Sequence, residues 1–177
     1  MNTYFIDHFP SREKIAAQRS MIQSETRKEL KELCMSGRLN LDLDTVDLRS
    51  HISFYTVQHK ETLISLLLSG LFNFEEAMQK IDGCYVRTDQ LETLVKLAEL
   101  KKDGAITIDL KDKCVDFNKY DWFHGKLLEE VFIIAIKSKQ YNFPQAMEIA
   151  KKYYDGQQDS IEEVRRLAEL EKSAMSP

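Results

Sequence analysis

The sequence predicts a mainly α, helical-repeat-like domain with an internal duplication and two short β-hairpins. Three observations lead there: apolar residues recur at helical spacing along most of the 177 residues, only three prolines and six glycines interrupt them, and one stretch of the chain matches another. A length of this order suits one domain, and 43% apolar residues suffices for a core.

Spacings such as Leu91, Leu94, Val95 and Ala98 predict helices at about 11–35, 60–69, 74–81, 89–102, 126–139, 143–154 and 160–173. Gly37, Gly83, Gly104 and Gly156 follow helical patterns, where a residue able to take positive φ is favoured. The two hairpins are predicted from period-two alternation, Leu39, Leu41 and Leu43 in one segment and Ile106, Ile108 and Leu110 in the other. Asp42, Asp44 and Asp47 would form the polar face of the first, since the glycine and terminal glutamate of a calcium loop are absent.

Self-comparison gives the strongest signal. Gly37, Asp42 and Leu43 match Gly104, Asp109 and Leu110, and Thr45 to Met78 then aligns without gaps to Cys114 to Met147, with ten of 34 positions identical. Asn73 with Glu76 and Asn142 with Gln145 have capping-box spacing, and Pro144 sits where a first helical turn tolerates it. The matched residues are caps and core positions, such as Phe54 with Phe123 and Ala77 with Ala146. A Leu-x-Glu-Leu pattern ends the helix before each copy and returns at Leu167 to Leu170. Within one domain, 1–177, the repeats would run from about 27 to 83 and from about 94 to 156, followed by a C-terminal helix at about 160–173. The pieces Glu61 to Gly83 and Glu130 to Gly156 are similar to ankyrin-type helix pairs in packing, without that family's Thr-Pro-Leu-His signature.

Several chemistries are disfavoured. Mixed charge with a net of −4 argues against nucleic acid as the main partner, and the helix-plus-hairpin segments that could make a DNA-binding wing carry three aspartates each. Cys34, Cys84 and Cys114 form no C-x-x-C, which points to a reducing compartment, with Cys84 and Cys114 expected to be small buried residues. His51 and His59 lack the glutamate of an H-E-x-x-H site; no nucleophile motif or phosphate loop occurs. Neither a catalytic residue nor a metal or cofactor is assigned. The segment 1–10 lacks the pattern of a secretory signal, and no apolar run reaches bilayer length, so a cytoplasmic location is expected.

The leading expectation is a non-enzymatic interaction or adaptor module whose partner is another protein. Its candidate binding residues are Tyr120, Trp122 and His124, in the densest aromatic stretch, with Tyr153 and Tyr154 as a second patch. Ser53 stands opposite Trp122 in the alignment, so this tryptophan belongs to one copy alone. The alternatives are a small enzyme or toxin-like protein with its site between the repeats, or a nucleic-acid-binding regulator. The C-terminal Glu162, Glu163, Glu169 and Glu171, followed by Ser173, Ala174, Met175 and Ser176, resembles the glutamate-rich block with a small-residue end of type IV secretion substrates. That resemblance implies a bacterial secreted effector acting in a host cytosol.

Overall fold

The computed structural model describes residues 11–84 and 88–175, so Met1 to Pro10 and the end of the proposed secretion block at Ser176 lie outside the described residues. The chain divides into two compact units, Met1–Lys60 and Glu61–Pro177. Seven α-helices account for most of the described residues, and no strand occurs among them.

The first unit is built on α1, Arg12–Met35, whose N-cap Ser11 accepts from the Lys14 N–H at 3.3 Å. Ile22, Thr26, Leu30 and Leu33 are its buried stripe, and Thr26 meets its own polar need by donating to the Ile22 carbonyl at 2.6 Å. Gly37, at φ +72°, turns the chain out of the helix. The segment that follows alternates as expected, Leu39, Leu41 and Leu43 being less exposed than their neighbours, but it pairs with nothing as a strand. Side chains of α1 bond the end of this segment and the turns after it: Gln23 donates to Leu48 at 2.7 Å, and the Arg27 guanidinium to Leu43 and Val46 at 3.3 and 3.4 Å. Asp42 and Asp47 in turn accept from the N–H groups of Asp44 and Arg49, each at 3.0 Å. Short acidic side chains that bond the backbone two residues on favour consecutive turns over a sheet. The first predicted hairpin is therefore an extended, one-sided coil. α2, Val57–Leu68, starts in this unit and continues into the second.

The second unit contains α3 (Phe74–Asp82), α4 (Thr88–Lys102), α5 (Lys126–Lys137), α6 (Phe143–Tyr154) and α7 (Gln158–Met175). Its expected hairpin is likewise absent. The alternating burial at 105–110 is real, yet Asp109, Asp112 and Asp116 turn the chain repeatedly by accepting from Lys111, Cys114 and Asn118, and Lys80 donates to the Asp112 and Val115 carbonyls at 2.9 Å each. Period two here records which side of an unpaired segment faces the core.

α5, α6 and α7 pack on one another, and Glu129 ties α5 to α4 by accepting from Thr93 at 3.0 Å and Lys96 at 2.8 Å. The centre is four phenylalanines, Phe117, Phe123, Phe132 and Phe143, none more than 2% exposed. Their ring centroids lie 5.2–6.5 Å apart, most of them edge to face, the arrangement that ring quadrupoles favour. Phe117 lies in a single 3-10 turn, Phe117–Lys119, started by the Asp116 side chain.

Local geometry recurs at the positions that match in sequence. Asn73 and Asn142 both take φ −79° and ψ 176°, and each completes a capping box, with Glu76 and Gln145 respectively. Just before them, Ser69 and Ser138 donate to the Leu66 and Ala135 carbonyls at 2.6 Å and accept from the N–H two residues on. Phe54 N–H donates to His51 as Phe123 N–H donates to Tyr120. Gly70, at φ +73°, ends α2, and its sequence partner Lys139 holds the same left-handed conformation at φ 60°. A lysine there breaks the glycine pattern, which is why this shared turn escapes inspection of the sequence. Gly104 and Gly156 are left-handed as expected, whereas Gly83 is not: at φ −77° it closes α3, and a Cβ would meet the Gln79 and Lys80 carbonyls at 3.3 Å. Asn142→Ala and Asn73→Ala should each lower stability by about 1 kcal/mol, as loss of a side-chain N-cap does. Denaturant titration checks this, and an unchanged midpoint for both would contradict the capping role.

α7 is attached by polar contacts as well as by Val164 and Leu167, both buried. Tyr141 donates to Glu163, Arg166 donates to Glu163 and to Gln140, and Lys137 pairs with Glu171. The Arg166 hydrogen bond, followed by that from Tyr141, holds the Glu163 carboxyl down at about 2. A carboxylate whose pKa falls on folding stabilises the fold above its unfolded pKa and ceases to do so as pH drops through the folded value. Wild type should thus lose its advantage over Glu163→Gln between about pH 4.5 and 2. Urea midpoints for both proteins across that range test the sign; a gap that widened on acidification would refute it.

Candidate functional site

The aromatic stretch after the 3-10 turn divides by depth. Phe123 enters the core, whereas Tyr120 and Trp122 stay half-buried and His124 is exposed. Tyr120 rests edge-on against core Phe143, with centroids 5.9 Å apart, and meets Trp122 at 6.0 Å and 89°. Trp122 also stands at 82° to Phe123, so it has two near-perpendicular ring neighbours.

The first turn of α6 buries Phe143, and its last turn brings Lys151 and Tyr154 to the same place. Lys151 Nζ lies 5.4 Å from the Trp122 ring centroid and 5.4 Å from that of Tyr154, and pairs with Asp155 at 3.0 Å. Tyr154 is 59% exposed. Trp122 and Tyr154, expected as parts of two patches, thus flank one ammonium in a single patch. Among the described residues, neither His124 nor Tyr153 makes a ring or hydrogen-bond contact with it. Sequence reasoning missed Lys151; the signal available was its i, i+3 spacing to Tyr154, which puts both on one helix face.

A cavity of about 440 Å³ lies beside α3, lined in part by Lys80, Asp82, Lys111 and Asp116. Burial draws the pKa of Lys80 down and the Asp116 charge opposes this, while its ammonium is committed to two backbone carbonyls. Burial pushes the Cys84 thiol up to about 12, so it stays protonated and unreactive. Cys84 is buried as expected; Cys114 is exposed, because it follows a turn rather than facing the core from a strand.

His59 is a core histidine: it is buried, stacks on Phe54 at 6.0 Å, and its Nδ1 accepts from the Tyr55 N–H at 3.4 Å. No three His, Cys, Asp or Glu side chains converge as metal ligands among the described residues. No described helix is long and apolar enough to cross a membrane.

Comparison with protein-family models, with curated proteins and with solved structures yields no match.

Proposed function

We propose that the chain is a duplicated helical interaction module that binds another protein through the patch formed by Tyr120, Trp122, Lys151 and Tyr154. The single observation that supports this most is the exposure of Tyr154 beside a half-buried Trp122, next to phenylalanines that are wholly buried. Large aromatic surface left at the rim of a rigid cluster costs little ordering on binding, and such residues dominate interface energetics. The duplication is supported by matched caps, serine turns and left-handed positions. It also isolates the patch, since Ser53 and Asp82 align with Trp122 and Lys151 and offer neither ring nor cation.

The glutamates of the last helix support a structural use over a secretion signal, because Glu163 and Glu171 are engaged by Tyr141, Arg166 and Lys137.

Site-specific photocrosslinking tests the interaction reading: benzoylphenylalanine in place of Tyr154, against the same group in place of Arg165, an exposed residue of α7. A discrete adduct from position 154 alone is expected. The same adducts from both positions, or none from either, would remove the patch as an interface.

A further inference from the structure

The patch already shows which chemistry it takes. Lys151 is a charged side chain of the same molecule, poised 5.4 Å from two ring centroids, and ring faces attract cations at such distances. Trp122 supplies the strongest such face and rests edge to face against Tyr120 and Phe123, at 89° and 82°. Asp155 accepts from the ammonium at 3.0 Å, giving the cation a carboxylate as well as rings. The carboxylates around it are matched by lysines, Glu148 pairing with Lys152 at 3.5 Å and Asp116 with Lys119 at 3.8 Å, so the selectivity for a cation rests on the rings and Asp155. Lys151 itself is weakly held. Its side chain is 38% exposed, its ion pair is an i, i+4 surface pair, and a flexible four-carbon stem lets it swing into water without moving the helix.

We infer that Lys151 is a built-in stand-in for an external ligand, and that Trp122, Tyr154 and Asp155 form a receptor for an alkylammonium group, supplied by a lysine side chain of the partner protein. The inference rests on the interaction reading of this patch and adds the partner's chemistry. Lys151 then acts as an intramolecular competitor: the partner's lysine enters as Lys151 leaves, and no bond other than hydrogen bonds and ring contacts is made or broken. Methylation of the incoming lysine keeps the charge while spreading it over a larger, less hydrated surface, so trimethyl-lysine, which has no N–H for Asp155 and keeps only its charge attraction, should still bind through the rings.

Trp122 is the only tryptophan, so its fluorescence reports the site directly. Wild type, Lys151→Ala and Lys151→Ala/Tyr154→Ala would be titrated with short peptides carrying one lysine, its trimethylated form, or norleucine in its place, and with tetramethylammonium ion. The expected result is a saturable change in Lys151→Ala with both lysine peptides, about tenfold weaker in wild type, lost in the double variant and absent with norleucine. Circular dichroism verifies that each variant keeps its helices; alanine favours the helix at both positions. An equal response to norleucine, no saturable response in Lys151→Ala, or a response undiminished in the double variant would overturn the inference. Binding of tetramethylammonium without the peptides would overturn the protein-lysine source in favour of a free quaternary amine. Because this titration needs no partner, it is independent of the crosslinking result. Failure here beside a position-154 adduct removes only the ammonium chemistry, whereas ammonium binding without an adduct removes only the protein interface.

Discussion

Replacing Phe132 by alanine should cost about 3–5 kcal/mol, the range for truncating a fully buried aromatic in a core that cannot collapse. Phe132 is 0% exposed and its ring lies against Phe117, Phe123 and Phe143, with centroids 6.5, 5.5 and 5.3 Å away. These three neighbours come from a 3-10 turn, the turn that follows it and the start of α6. Their backbones are fixed separately, by the Asp116 turn, by the Phe123 N–H bond to the Tyr120 carbonyl and by the Asn142 capping box. The void left by the lost ring therefore has little chance of being filled by inward movement. Against a typical total stability of about 5–15 kcal/mol, such a loss should lower the melting temperature by roughly 10 °C. Phe132→Leu, which keeps most of the volume, should recover more than half of the loss. Calorimetry on the two variants decides the matter; a cost below about 1 kcal/mol for alanine would mean that the four rings are not the centre of the unit.

The helices were legible in the sequence because their signals are local. Apolar spacing and terminal residues located all seven within a few positions, and α6 at its observed bounds, since Asn142, Pro144 and Gln145 act on the turn they belong to. The hairpins were misread because alternation reports one-sided burial, and a strand needs in addition a partner with free carbonyls. Side chains engage single carbonyls of these segments instead, Arg27 that of Leu43 and Lys101 that of Thr107, a relation no periodicity encodes. The patch was half legible for the same reason. Trp122 and Tyr154 stand out by type, but their meeting over Lys151 depends on how α6 lies against the segment before α5. His124 and Tyr153 share the composition and not the location.

Trp122→Ala and Phe123→Ala should part company, although the two residues are neighbours. Phe123 is 1% exposed and touches Phe117 and Phe132, so its truncation belongs with that of Phe132, at about 3 kcal/mol or more. Trp122 is half-buried, with one edge on Phe123 and Tyr120 and a face toward Lys151, so its loss removes rim contacts and opens no enclosed void. A stability cost of about 1 kcal/mol, or a melting shift of roughly 2–4 °C, is expected for it. Its effect on binding should be the larger one. An aromatic at the centre of an interface commonly contributes 2 kcal/mol or so, hence the partner captured through position 154 should be held at least about tenfold less tightly, equivalent to roughly 1.4 kcal/mol. Calorimetry and a binding titration on the same two variants separate the roles. If Trp122→Ala destabilises the protein as much as Phe123→Ala does, the ring is part of the core and the binding patch must be abandoned; if it leaves both stability and capture unchanged, the interface lies elsewhere on the chain.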